Sequence, residues 1–280
     1  MDEMVRERPE SSEEENRRRA VDKMAREIGG ILEDRGPSIY LYGSSVLEDF
    51  RLGWSDIDIL VLTERRIEED QAGKLVGLRQ AMLEREPGDP YYRSFEGGML
   101  TLDAFLSGAP DRVVYWGTSG QRIDDHYTFA SFERAELLER GVLLYGADVR
   151  SRLSPPSYAA LYEDVRRHYE VIRRYVRQTG RDLYAFGWML DIARCIYTLR
   201  AGRIISKTGA GTWALARGLC PDEAILEQTL EVRLRPSEHL DERTLDLAET
   251  LAGPIQRFAD VLERELREAA GKTAAPGSGV

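Results

Sequence analysis

A chain of 280 residues is long enough for one large domain or two ordinary ones, and 42% hydrophobic with 31% charged residues marks a folded chain rather than a disordered one. Its 39 basic and 49 acidic residues give a formal net charge of -10, which disfavours non-specific nucleic-acid binding and templated polymerisation and is compatible with a cationic small molecule. Cys195 and Cys220 form no CxxC pair, no apolar leader opens the chain, and no run approaches the ~18 apolar residues of a membrane span, so a soluble protein of the reducing cytoplasm is expected.

Residues 1–13 are charged and without an apolar period, and are expected to be disordered. Ala20, Val21, Met24, Ile28, Ile31 and Leu32 then recur at helical spacing, and Gly36-Pro37 ends that helix before a strand over Ile39 to Tyr42. Gly43-Ser44-Ser45 stops the strand, and after a polar loop a second apolar run opens with Ser55-Asp56-Ile57-Asp58. A helix over roughly Glu68 to Glu86, carrying Leu75, Leu78 and Met82, is stopped by Pro87-Gly88-Asp89-Pro90. Glu96 to Phe105 reads as a third strand, Asp111 to Tyr127 shows no clear period, Phe132 to Arg140 reads as a short helix, and Val142 to Gly146 as a last short strand. Residues 14–150 thus form an α/β (α+β) unit with a small mixed sheet of few, short strands.

Composition changes at Ser151 to Ser157, SRLSPPS, a linker. Beyond it three stripes at helical spacing follow: Leu161, Val165, His168, Ile172 and Tyr175; Leu183, Phe186, Leu190 and Tyr197; and Leu247, Leu251, Ile255, Phe258, Leu262 and Leu266, with Gly253-Pro254 expected to kink or restart the last helix. With shorter helices over Lys207 to Leu219 and Pro221 to Leu234, residues 158–270 read as an all-α helical bundle, ahead of a disordered tail at 271–280.

The chemistry concentrates between Tyr40 and Leu62. Successive strand side chains alternate between faces, so Asp56 and Asp58 project to one side while Ile57, Ile59 and Val61 fill the other. Two adjacent carboxylates at a strand edge repel unless a divalent cation offsets them, and backbone N–H groups of a Gly43-Ser44 turn suit phosphate oxygens. Taken one at a time, the same residues are an ordinary turn and surface acids; their order between two apolar runs favours a phosphate-and-metal site.

Gly43-Ser44 followed by Ser55-Asp56-Ile57-Asp58 resembles the signature of the polymerase-β-like nucleotidyltransferases. With a helical second half, the chain is most similar to the aminoglycoside adenylyltransferases of the streptomycin/spectinomycin type. The resemblance implies a Mg²⁺-dependent transfer of AMP from ATP, with two ions held by Asp56 and Asp58, to a hydroxyl of a small cationic acceptor such as an aminoglycoside, and hence antibiotic resistance, with neither nucleic acid nor membrane as partner. The family places a general base on a carboxylate that has a second acid seven residues later; Glu96 and Asp103 have that spacing, which points to Glu96 with Asp103 as the fallback. Gly97-Gly98 departs from the β-branched residues of the family at that strand.

Gly43, Ser44 and Ser55 would serve the nucleotide from the loop, Ser55 by bracing it. Arg194 and Lys207, thirteen residues apart with Gly202-Arg203-Ile204 ahead of the lysine, match the family's phosphate-binding pair. As residue types alone they read as an ordinary helix arginine and loop lysine. His168 reads as a packing residue, and His126 and His239 make no metal-ligand spacing. Tyr115, Trp116, Asp124 and Asp125, with Asp182, Trp188 and Asp191 from the helical half, are candidates for an acceptor pocket. Two rival functions are modification of a protein acceptor and nucleotide sensing without catalysis.

Overall fold

The computed structural model describes residues 12–110, 112–117 and 120–273. Two compact units emerge: one from the chain up to Tyr40 with Ile59–Tyr127 and Leu143–Asp148, the other from Leu41–Asp58, Thr128–Val142 and the chain from Val149 onward.

In chain order the first half runs α1 (Ser12–Ile31), β1 (Pro37–Tyr42), β2 (Ile57–Thr63), α2 (Glu69–Arg85), β3 (Phe95–Thr101), α3 (Leu102–Ser107), β4 (Val113–Gly117), β5 (Gly120–Asp124), α4 (Ser131–Arg140) and β6 (Val142–Tyr145). Helix α1 opens with Glu13, Glu14 and Glu15, which favour its positive end, and buries Ala20, Val21, Met24, Ala25 and Ile28. Gly36 takes the left-handed conformation, φ 62°, that turns the chain into β1. Among the described residues six strands make one mixed sheet in the order β5-β4-β3-β2-β1-β6, with β3, β4 and β5 antiparallel neighbours. In β2 Leu60 and Leu62 are as buried as Ile59 and Val61, so the face that starts with the two aspartates becomes core within two residues.

Three expectations need correction here. The third strand ends at Thr101, whose hydroxyl accepts the Ala104 N–H at 3.2 Å and caps α3, so Asp103 sits exposed in a helix's first turn rather than in a strand. The segment without a period is an antiparallel hairpin, β4 with β5, pairing Tyr115 with Arg122 and Trp116 with Gln121. Its outer strand is an edge carrying Gln121, Arg122 and a largely exposed Ile123, which erases the apolar alternation that a half-buried strand would show. Trp116 is fully buried, its indole N–H donating to the Leu75 carbonyl at 3.0 Å, and so belongs to the core rather than to a pocket.

The helical half comprises α5 (Tyr158–Tyr175), α6 (Tyr184–Ala201), α7 (Lys207–Leu215), α8 (Glu223–Leu234), α9 (Glu242–Glu249) and α10 (Ala252–Thr273). Val165, Ile172, Phe186, Leu190, Ile196, Leu226, Phe258 and Leu262 meet in its core. Side chains of this size each stabilise the fold by about 1.5–3 kcal/mol when fully buried. Of the first stripe Tyr175 is exposed, while His168 is half-buried against Phe132, ring centroids 5.6 Å apart. The break between α9 and α10 falls at Thr250-Leu251, leaving Pro254 in a first turn where its missing N–H costs no helical bond. Of the expected disordered tails, residues 12–13 and 271–273 are instead helical, in α1 and α10, and 1–11 and 274–280 lie outside the described residues. Among the described residues no helix is long and apolar enough to cross a membrane.

Candidate active site

The second compact unit contains a cleft of about 380 Å³, lined by the Tyr42–Asp58 segment, by α4 and α6, by the start of α7 and by Arg233 of α8. It brings together Gly43, Ser44, Ser55, Asp56, Asp58, Arg194 and Lys207. Glu96 is in the other unit.

At the loop end Gly43 has φ 69°, and a Cβ there would lie 2.0 Å from Asp58 Oδ2, so both the backbone conformation and the carboxylate beside it require glycine. The Ser44 hydroxyl donates to the Asp56 carbonyl at 3.4 Å, and its own carbonyl accepts the Asp49 N–H at 3.1 Å. Ser55 is buried, and its hydroxyl accepts the Arg51 N–H at 3.0 Å while its N–H donates to the Arg51 carbonyl at 2.8 Å. It closes the turn before the aspartates. Asp56 is exposed and Asp58 half-buried.

At the helical end every cation has a carboxylate. Arg194 Nη1 donates to Glu136 Oε1 at 3.1 Å and the guanidinium lies over the Phe132 ring, 5.2 Å from its centroid. Lys207, the first residue of α7, reaches Asp191 Oδ1 at 2.9 Å. Arg233 donates to Asp49 and lies 5.3 Å from the centroid of Trp54. Burial would raise the Asp191 carboxyl, but Lys207, Arg194 and His168 outweigh it and hold it below the usual range. For Glu136 burial dominates over Arg194 and pushes its carboxyl up. Burial alone would likewise lower Arg194, yet Glu136 and Asp191 raise it.

Trp188 and Asp191 line the cleft as expected, whereas Asp182 accepts the Tyr184 N–H at 3.0 Å and is not part of the lining. Tyr115, Trp116, Asp124 and Asp125 belong to the first unit. There Asp124 is tied to Arg122 at 2.8 Å and accepts the N–H groups of Asp125 and His126, so this exposed acidic group caps its own turn. Among the lining residues that went unsuspected are Asp49, Trp54, Glu133, Glu136 and Arg233. The signal available for Arg233 was its place on an apolar stripe with Leu226 and Leu230, and for Glu136 its place one turn from Phe132. Glu133 Oε2 is buried without a hydrogen-bond partner.

Glu96 sits half-buried in β3, and its Oε1 accepts the Tyr115 hydroxyl of the neighbouring β4 at 3.2 Å. The glycines after it have a physical cause. A Cβ on Gly97, φ 149°, would lie 1.8 Å from the Ile59 carbonyl oxygen, and one on Gly98 would lie 2.4 Å from the Tyr127 ring.

Residues 23–88 match the nucleotidyltransferase domain family, and residues 157–255 match the aminoglycoside adenylyltransferase C-terminal domain. Among solved structures, a spectinomycin adenyltransferase AAD(9) from Enterococcus faecialis, crystallised with ATP and spectinomycin, aligns over 91% of this chain and 100% of its own, at 17% identity and a TM-score of 0.57. The chain is an aminoglycoside adenylyltransferase-like nucleotidyltransferase. No curated protein matches it. In this adenylyltransferase-like chain the first family region carries Gly43 to Asp58 and the second carries Asp191, Arg194, Lys207 and Arg233; Glu96 falls between them.

Proposed function

We propose that the protein transfers AMP from ATP to a hydroxyl of a small cationic acceptor, an aminoglycoside, and releases pyrophosphate. The observation that carries this reading is the meeting in one cleft of the Gly43–Asp58 loop with Arg194 and Lys207. Six carboxylates against three cations line that cleft, a balance suited to a cationic ligand. The solved relative with ATP and spectinomycin points to the same class of substrates. In this reading residues 14–150 act as the nucleotidyltransferase domain and 158–270 as a helical domain.

Asp56 and Asp58 are hard oxygen donors two residues apart, and the glycine beside Asp58 leaves its carboxylate room, a donor set that fits Mg²⁺. When bound there, two such ions would neutralise charge at the reacting phosphate. Gly43 and Ser44 hold phosphate oxygens through backbone N–H groups and a hydroxyl, with Ser55 keeping the loop in shape. Arg194 and Lys207 bind the β- and γ-phosphates. The acceptor oxygen attacks the α-phosphorus, the bond to the bridging oxygen of the β-phosphate breaks, and Glu96 takes the hydroxyl proton. Tyr115, donating to Glu96, keeps that carboxylate oriented.

The test uses ATP labelled at the α-phosphate, Mg²⁺, and spectinomycin, streptomycin and related aminoglycosides, followed by separation of small molecules from protein. Label in the aminoglycoside with stoichiometric pyrophosphate is expected. Label on a protein band from added cell extract, or no pyrophosphate with any acceptor, overturns the reading.

A further inference from the structure

We propose that Asp49 is a positioning residue that sets the spacing between the Ser44 loop and the N-terminus of α7, and with it the grip on the triphosphate of ATP. The inference rests on the nucleotide role given above to Ser44 and Lys207.

Asp49 is only 2% exposed, and each of its polar groups is engaged. Its Oδ1 accepts the Thr208 hydroxyl at 2.5 Å, and its Oδ2 accepts the Thr208 N–H at 3.1 Å and Arg233 Nη2 at 3.2 Å. Arg233 donates a second time, to the Asp49 carbonyl at 2.9 Å, and the Asp49 N–H donates to the Ser44 carbonyl at 3.1 Å. Thr208 and Arg233 lie 159 and 184 residues further along the chain, so no local turn accounts for these bonds.

What separates this node from an ordinary buried ion pair is where its connections end. Ser44, on the phosphate side of the loop, is one hydrogen bond from Asp49, and Lys207 is one peptide bond from Thr208. The first N–H groups of a helix have no partner within it. In α7 Ser206 accepts that of Gly209 at 3.1 Å and Asp49 that of Thr208, so the backbone of Lys207 is pinned on both sides. Arg233 meanwhile holds the loop at a second point, lying on Trp54 two residues before Asp56. Three donors converge on Asp49, so an amide in its place would turn an N–H toward one of them.

Thr208→Val removes the hydroxyl bond but keeps the branched Cβ and the Asp49–Arg233 pair. Calorimetric Kd for Mg·ATP, KM and kcat from pyrophosphate release, and the thermal midpoint are compared for each variant. Kd and KM for Mg·ATP are expected to rise about tenfold, with the midpoint held within about 3 °C. Thr208→Ser, which keeps the hydroxyl, should restore both constants. Replacing the pair together, Asp49→Asn with Arg233→Met, strands no buried charge and is expected to weaken Mg·ATP binding about 100-fold. Thr208→Val decides alone if the double variant does not fold. Unaltered Mg·ATP affinity in Thr208→Val, or a loss that only tracks a falling midpoint, overturns the inference. An unsubstituted protein that binds no Mg·ATP overturns the nucleotide reading and this inference together.

Discussion

The two ends of the cleft are charged by different routes. At the loop end, Asp56, just ahead of β2, and Asp58, its second residue, line the cleft two residues apart, beside a glycine whose missing Cβ leaves room for the Asp58 carboxylate. At the helical end each cation arrives with a carboxylate from elsewhere: Arg194 with Glu136, Lys207 with Asp191, Arg233 with Asp49. Adjacent carboxylates raise the local demand for positive charge, whereas the helical pairs are close to neutral before any ligand arrives. On the proposed reading, a triphosphate would not have to order free cations, because the pairs already hold them, but would have to compete with the carboxylates for them.

Substitutions can break this contrast, beginning with the loop. Asp58→Asn or Asp56→Asn should abolish transfer, by about 10³-fold or more in kcat, with the thermal midpoint unchanged. Pyrophosphate release near the normal rate in either variant, read beside a melting curve, would remove the metal role from these residues.

The helical end should respond through stability as well as binding. Arg194→Met leaves Glu136, 6% exposed, without its cation and is expected to cost about 3–5 kcal/mol by denaturant unfolding at neutral pH. Because burial already pushes the Glu136 carboxyl up, uptake of a proton should relieve part of that loss as the pH falls below neutral. Lys207→Met leaves Asp191, 17% exposed against 6% for Glu136, with Arg194 still nearby, so it should weaken Mg·ATP binding with a smaller destabilisation of about 1–3 kcal/mol. Equal stability losses in the two variants would show that the pairs do not differ in burial as their side chains do.

The smallest effect belongs to His168. Burial holds its imidazole below the usual value of 6.5. A depressed histidine contributes stability that is complete above the unfolded value and is lost as the pH falls from 6.5 to the folded value, since the unfolded chain binds the proton first. His168→Gln should therefore flatten the pH dependence of the thermal midpoint just below 6.5. A slope identical to that of the unsubstituted protein would assign it to other groups.

Legibility in the sequence followed the range of the forces involved. The Asp56/Asp58 register, the helix stripes through Val165, Ile172 and Leu262, and the turn at Gly43 depend on neighbours within a few residues, and each is present in the fold. The β4/β5 hairpin was not legible because its edge strand faces outward through Gln121 and Arg122. The α3 cap at Thr101 was hidden inside an apolar run that reads equally well as strand.

Local backbone geometry and hydrophobic period specify the paired aspartates, the glycine turn, the spacing of Arg194 to Lys207 and a sheet-bearing half followed by helices, so these could be read directly from the residues. Which charges face one another emerged with the packing of the chain. Glu136 could not be matched to Arg194, Asp191 to Lys207, or Asp49 to Thr208 and Arg233 by any short-range rule. Of these, Asp191 and Lys207 are 16 residues apart, while the others are separated by 58 residues or more, and burial alone makes a partner obligatory.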